Sequence, residues 1–319
     1  MKVGLIGIGG MGFVHFNCYK KMADMEICVA DVRVDMAKEK VNDENINVYA
    51  SLTELLANED VDFVDVCTPS YLHAELTIQA LNAGKHVLCE KPMSTSSEES
   101  AKMIEAAEKN GKLLMVAHVV RFMAPYVYLK SVIDSGELGK PVHLMFDRLS
   151  STPLWSWENW MLDENKSGAV PLDLSIHDID YIQYVLGAPK SKFAVWHKLK
   201  DNTDYIASEL VYDGFSVEVT GSWYKTDFPF TARYFAIFEN GYVKCDGDVI
   251  KNGEKISLDL GDTSEDTGIN LSGADGYADE IAYFVECIKS GKKPEKVTPE
   301  SSMASVKLVE ELKTGAVIV

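Results

Sequence analysis

The stretch GLIGIGGMG, residues 4–12, ends an apolar run that starts at Lys2 and opens a helical pattern near 11–22. Within it, Gly7-Ile8-Gly9-Gly10-Met11-Gly12 fits GxGxxG. Glycines in those places let the chain turn tightly, bring backbone close to a pyrophosphate, and let a helix pack on a strand. The helix start then offers unpaired N–H groups and the positive end of a dipole. A second strand pattern, 26–31, finishes on Asp31, 19 residues past Gly12. That is close to the roughly 20 at which an acid accepts hydrogen bonds from the adenosine ribose. A glycine turn alone shows only that a strand runs into a helix; strand, turn, helix and acid together read as a dinucleotide site. The Asp31 carboxylate repels a 2′-phosphate and so favours NAD. Arg33, two residues on, is either a partner for such a phosphate, which leaves NADP open, or a plain surface charge.

Outward from this turn, strand patterns at 2–7, 26–31, 46–49, 61–66, 85–89 and 112–117 alternate with helical ones, clearest at 71–83 and 96–110. Such alternation predicts a doubly wound parallel sheet of the Rossmann type, covered on both faces. The second half differs. Residues 142–149 alternate in polarity, and the turn dipeptides Asp213-Gly214, Asn240-Gly241 and Asn252-Gly253 each separate strand-like runs. An antiparallel meander is expected over 204–258, with helices at 168–186 and 275–290. The fold class is therefore α/β. A dinucleotide-binding domain at 1–120 precedes a substrate-binding α+β domain at 121–319 with an open, mainly antiparallel sheet.

Composition bounds the function. Of 319 residues, 46% are hydrophobic and 25% charged, the balance of a globular protein, and the formal net charge is −18. That sign disfavours nucleic acid and anionic membrane surfaces as partners. No apolar run reaches the roughly 20 residues needed to span a bilayer. The chain enters a strand pattern at once, so no signal peptide is expected. The six cysteines show no CxxC spacing, which argues against a metal site. Cys28, Cys67 and Cys89 lie in apolar runs and read as buried thiols in a reducing cytoplasm.

The fifth strand pattern ends in Glu90-Lys91 and is stopped by Pro92; the fourth ends in Cys67-Thr68-Pro69, with His73 on the helix that follows. Ligands of doubly wound sheets bind beyond the carboxyl ends of the strands. Thr68, Pro69, His73, Glu90 and Lys91 are accordingly candidates to face the cofactor, together with Gly7 to Gly12, Asp31 and Arg33. A lysine amine there can stabilise a developing alkoxide. A surface salt bridge at a strand exit would look the same in sequence. His15, just past the glycine turn, either touches the pyrophosphate or covers the helix start.

GLIGIGGMG, CTPSYLHAE (67–75), AGKHVLCEKPMS (83–94) and GAVPLDLSIHDIDY (168–181) resemble the successive signatures of the Gfo/Idh/MocA family, the glucose–fructose oxidoreductase and inositol dehydrogenase group. The likeness runs over essentially the whole chain. It implies a catalytic role for Lys91 and a cis Lys91–Pro92 bond. It also implies that Asp173 binds and orients substrate and that His177 takes the hydroxyl proton. Independently, Asp173 and His177 are four apart, so on a helix they share a face, and their apolar neighbours predict a largely buried helix. The family's oligomers pair through the C-terminal sheet, which implies a homodimer or homotetramer. Consistent with that, Ile206, Leu210, Val217, Val219, Trp223, Phe235 and Ile237 leave apolar residues for an outer sheet face in any register. One departure is Gly168-Ala169, where many members have Gly-Gly.

Between the domains, Arg121 reads either as a substrate or cofactor contact or as a structural ion-pair residue. Trp155, Trp157 and Trp160 suit either stacking on sugar C–H surfaces or loop packing. The leading expectation is a cytoplasmic NAD(P)-dependent oxidoreductase moving hydride between nicotinamide and a secondary hydroxyl of a sugar, sugar derivative or cyclitol. The alternatives are an NAD-retaining glycosidase, which shows no net change in nicotinamide absorbance, and a non-catalytic NAD-dependent sensor, which the presence of Lys91, Asp173 and His177 disfavours.

Overall fold

The computed structural model of the chain describes residues 1–258 and 275–319. These form two compact units. One contains Met1–Val119 and, returning from far along the chain, Tyr277–Met303; the other runs from Val120 through the strands of the second half and ends with Ala304–Val319. The expected assignment of everything after 121 to the second domain therefore differs from the observed grouping at 277–303.

In the first unit, β1 (Lys2–Ile6), β2 (Glu26–Ala30), β3 (Val48–Tyr49), β4 (Phe63–Val66), β5 (His86–Glu90) and β6 (Leu114–Ala117) form one sheet in the order β3-β2-β1-β4-β5-β6. Every pairing is parallel. The helices between them are α1 (Gly10–Lys21), α2 (Val34–Val41), α3 (Leu52–Asn58), α4 (His73–Asn82) and α5 (Ser97–Asn110). Their limits are written in the sequence. Ser51 and Ser96 cap α3 and α5 by accepting from the Glu54 and Glu99 N–H groups, and Gly111 ends α5 in the left-handed region at φ 61°. All four residues of β4 are buried, as strands covered on both faces require, and Asp65 is among them. Strand order reverses between β1 and β4, which opens a crevice beyond their carboxyl ends.

The second unit begins with α6 (Ala124–Ser135) and β7 (Pro141–Ser151). A short helix α7 (Glu164–Ser167) leads into a π-helical turn, Pro171–Ser175, and then α8 (Ile176–Leu186). The strands β8 (Ser191–Lys200), β9 (Thr203–Val211), β10 (Ser216–Tyr224), β11 (Thr231–Phe238), β12 (Gly241–Asp246), β13 (Asp248–Lys251) and β14 (Glu254–Lys255) follow. Two further helices, α9 (Asp275–Ser290) and α10 (Pro299–Gly315), precede β15 (Val317–Ile318). The sheet order is β14-β13-β12-β11-β7-β10-β9-β8-β15.

This corrects the expected meander. β10 and β11 are not neighbours, because β7 lies between them, parallel to β10 and antiparallel to β11. Alternation along 142–149 marked β7 as a strand but carried nothing about its partners. β8 also precedes the predicted start; its turn to β9 is Asp201-Asn202, both at positive φ, where no glycine signalled it. Of the seven apolar residues expected to supply an outer face, Ile206, Leu210, Val217, Val219 and Trp223 are at most 1% exposed on the inner face. Only Phe235 and Ile237 lie outward, half-buried.

The inner face packs under α8 and the turn before it. Gly221 of β10 lies so close to Ser175 and Val170 that a side chain there would collide with them. Phe146 of β7 and Tyr234 of β11 meet Tyr181 of α8 and Tyr126 of α6 with ring centroids 5.0–6.1 Å apart. Amid these rings, Arg148 of β7 donates to Asp178 from Nε at 2.9 Å and Nη2 at 2.8 Å, and Nη2 also donates to the Tyr126 hydroxyl at 3.0 Å. Removing one partner of a buried pair leaves a buried charge uncompensated, at a cost of about 3–5 kcal/mol. Arg148→Met should therefore destabilise the protein by that order in denaturant unfolding. A shift within about 1 kcal/mol would show that the pair contributes far less than its burial suggests.

Candidate active site

Two sets of polar side chains stand out, one in each unit. In the first, the glycine turn follows β1. Gly7 has φ 84°, and a Cβ there would sit 2.7 Å from the Cys67 carbonyl oxygen. A Cβ on Gly12 would collide with the Gly7 carbonyl, so α1 packs on the strand end only because position 12 has no side chain. Gly9 differs: a Cβ added there meets no protein atom within 4 Å. Close packing by the protein thus does not account for a glycine at position 9. An approach of pyrophosphate to the first N–H groups of α1, from Gly10, Met11 and Gly12, does. Beside this turn, the Thr68 Oγ1 is buried without a protein hydrogen-bond partner. Both observations fit a dinucleotide.

Asp31 follows β2 and is 7% exposed. Its Oδ2 accepts from the Ile8 N–H at 3.0 Å, and Oδ1 from the Arg33 N–H at 2.8 Å and Arg33 Nε at 3.3 Å. One carboxylate therefore ties the glycine turn to the end of β2. Sequence reading passed over Lys40 on α2, whose amine donates to the Ile8 and Gly9 carbonyls at 3.0 and 3.1 Å. Burial, with Arg33 nearby, lowers the pKa of that amine.

Beyond β5, Glu90 is 6% exposed, and its Oε2 accepts from the Lys91 N–H at 2.9 Å. The Lys91–Pro92 bond is cis, and Lys91 itself is half-buried. His73, expected to face the cofactor, does something else. It is 1% exposed, with Nδ1 2.7 Å from the Pro92 carbonyl and Nε2 2.8 Å from that of Thr68. Both ring nitrogens are directed at protein carbonyls, so it joins the chain leaving β4 to the chain leaving β5. Burial pushes its pKa below the usual imidazole range, outweighing those two carbonyls.

In the second unit, Asp173 lies in the π-helical turn and His177 in the first turn of α8. From Pro171 to Ile182 these two alone are not buried. The run is core-facing, yet its two accessible members are an acid and an imidazole. Asp178 and Asp180, left open in sequence as solvated or supporting, are anchors. Asp178 holds Arg148, and Asp180 takes a two-pronged contact from Arg121, Nε to Oδ2 at 2.8 Å and Nη2 to Oδ1 at 2.6 Å. The substrate reading of Arg121 is thereby corrected. It is 3% exposed, and its guanidinium also stacks 4.7 Å from the Tyr184 ring centroid. Trp155 is 74% exposed and Trp157 38%, while Trp160 is half-buried in the turn Trp157–Leu162. Ala169 takes the left-handed φ of 58° that a glycine would adopt more easily, so the departure from Gly-Gly is a point of backbone strain.

Comparison with known sequences fits this geometry. Residues 1–118 match an oxidoreductase family, NAD-binding Rossmann fold, and residues 126–244 match the GFO/IDH/MocA C-terminal domain. The chain belongs to the Gfo/Idh/MocA family of oxidoreductases. It is 28% identical to a myo-inositol 2-dehydrogenase of Thermotoga maritima, across 95% of this chain and 93% of that one. It is 31% identical to the inositol 2-dehydrogenase of Salmonella typhimurium over 58% of this chain, a match that spans little more than half, 54%, of that relative. An oxidoreductase from Agrobacterium radiobacter, solved with NAD+, L-tartaric acid and magnesium, shares the fold at TM-score 0.82 and 18% identity, across 99% of this chain and 96% of that one. The family's cofactor is NAD, and the chain is an NAD-dependent dehydrogenase.

The contrast among the glycines gives a test. Gly9→Ala should fold with a loss under about 2 kcal/mol, the range for helix-cap changes. The added methyl would stand where the pyrophosphate approaches, so NADH affinity should fall at least tenfold by fluorescence titration. Unchanged affinity would mean that the turn binds no phosphate at this point.

Proposed function

We propose that the chain oxidises a secondary hydroxyl of a cyclitol or sugar, with Lys91, Asp173 and His177 as its catalytic residues. The observation that carries this is the pair Asp173 and His177, the accessible polar positions in an otherwise buried run, in a chain whose β5 also ends on a backbone-anchored lysine. NAD, when bound, supplies the hydride acceptor. Lys91 donates a hydrogen bond to the substrate oxygen and stabilises the negative charge that develops there. Asp173 accepts from a neighbouring hydroxyl and orients the ring. His177 takes the proton, a task suited to a group that titrates near neutrality. Asp31, the glycine turn and Thr68 hold the nucleotide. The inositol dehydrogenase relatives support a polyol as substrate, and the free state of all six cysteines supports a reducing cytoplasm. Among the described residues no helix is long and apolar enough to cross a membrane. Self-association through the outer sheet face is part of the proposal, supported by Phe193, 54% exposed on β8, and by half-buried Met145, Leu149, Phe235 and Ile237. A monomer by light scattering at micromolar concentration would remove that part.

Lys91→Met should lower turnover of inositols by about 10²–10³, the effect of losing one positioned donor. NADH affinity should stay within a few-fold, since the nucleotide is held from its other end. With His177→Ala, turnover should fall comparably and the acid decline of wild-type oxidation should disappear, because the group that must be deprotonated is gone. Near-native turnover of Lys91→Met on a panel of inositols and aldoses would defeat the assignment.

A further inference from the structure

The nucleotide unit holds a group of charges that the roles above leave unused. His15, on α1, is fully buried. Its Nδ1 is 2.8 Å from Asp65 Oδ2 on β4, and its Nε2 is 3.1 Å from Glu90 Oε1 on β5, an ion-pair contact poorly aligned for a hydrogen bond. The other oxygen of Glu90 takes the Lys91 N–H. One imidazole thus connects the middle of the sheet to the backbone of Lys91. Tyr19 donates to the same Asp65 oxygen at 2.7 Å, and the Cys67 sulfur is 3.5 Å from both His15 Nδ1 and Asp65 Oδ1. The donor atoms of His15, Asp65 and Cys67 are thus engaged with one another. From α9, the Tyr277 ring stands 6.3 Å from that of His15, and the buried Glu280 carboxyl, without a protein hydrogen-bond partner, lies in the field of His15, Glu90 and Asp65.

We infer that His15 is a positioning residue for Lys91: held by Asp65, it fixes the Glu90 carboxylate and, through it, the backbone from which the Lys91 amine projects. The inference rests on the catalytic reading of Lys91. Nδ1 is hydrogen-bonded to Asp65, and only as the imidazolium does the ring also carry the positive charge that attracts Glu90 across the 3.1 Å contact. Burial opposes that charge and Cys67 and Asp65 outweigh it, raising His15 well above the usual imidazole range; because burial keeps the Cys67 thiol protonated, Asp65 is the partner that matters near neutrality. Burial likewise pushes Glu90 up, but His15, with Lys91 and His73 assisting, holds it below the usual carboxylate range. Each keeps the other charged. Burial, Glu90 and Asp65 drive Glu280 the other way, well above that range, so it stays a neutral acid and adds no third negative charge.

The signs set the working range. With its pKa raised, His15 contributes at low and neutral pH, and that contribution is lost as pH rises through its folded value. With its pKa lowered, Glu90 contributes above the ordinary carboxylate range, and that contribution is lost as pH falls through its folded value. The connection is therefore intact around neutrality.

His15→Gln keeps an amide for Asp65 and removes the charge. Its oxidation kcat should fall about 10- to 100-fold, the order expected for slight misplacement of a catalytic group. NADH affinity should change less than about threefold. Beside the decline set by His177, the acid side of kcat should gain a second, Glu90-dependent loss, because Glu90 has lost its cation and takes up a proton at higher pH. Glu90→Gln should fall similarly, and the double variant should be no worse than the lower single, since both act on one element. NMR of the free wild-type protein gives a second reading that needs no folded variant: the His15 ring should be doubly protonated at pH 7. A singly protonated ring overturns the proposal. So does His15→Gln with unchanged kcat and acid limb beside an inactive Lys91→Met, which leaves the reading of Lys91 standing. An active Lys91→Met overturns both.

Discussion

The nucleotide unit depends on one close approach, that of α1 to the end of β1. A side chain at position 12 would strike the Gly7 carbonyl, and one at position 7 would strike the Cys67 carbonyl. With both absent, the helix start, the end of β1 and the end of β4 share one small region. The N–H groups of α1 then point where a pyrophosphate can sit, and Asp31 reaches back to Ile8 and fixes the turn. The same approach carries His15, three residues past Gly12, into the sheet between β4 and β5. Binding loop and buried charge cluster are two results of a single packing constraint.

The two units handle buried charge differently. Behind Asp173 and His177, two arginines are each matched to one aspartate by two-pronged contacts, Arg148 with Asp178 and Arg121 with Asp180. Arrangements of that geometry hold a helix in one position, since slippage by a residue would leave charges unpaired in the core. Behind Lys91 the matching is unequal: three carboxyls, Asp65, Glu90 and Glu280, surround one imidazole. Such a cluster is stable only if protons settle the imbalance, and the opposite shifts of His15 and Glu280 do so.

Much of this was legible in the sequence because local rules governed it. The glycine turn, Asp31 and the Asn252-Gly253 turn each carry their geometry in two to six residues. The accessible pair Asp173 and His177 was legible as polar residues four apart in an apolar helix. What stayed hidden was set by partners distant in the chain. Nothing around Arg121 says that Asp180 awaits it, 59 residues on, and so it was open to being read as a ligand. The placement of β7 between β10 and β11 has no local signature. His73 stood at a strand end where ligands bind, but its two carbonyl partners belong to other segments. Asp65 offered a signal: an acid in a strand buried on both faces must have a partner, and His15 was the imidazole within reach of that sheet.

The return of α9 to the first unit has a consequence for synthesis. Phe63 of β4 is fully buried, and part of its cover is the Phe284 ring, 5.9 Å away edge-on, from a helix that leaves the ribosome more than two hundred residues later. The nucleotide-binding sheet emerges long before the segment that finishes it. While the second unit is being made, the face of β4 that awaits Phe284 stays uncovered. The order in which the chain is read is therefore not the order in which its first unit is completed.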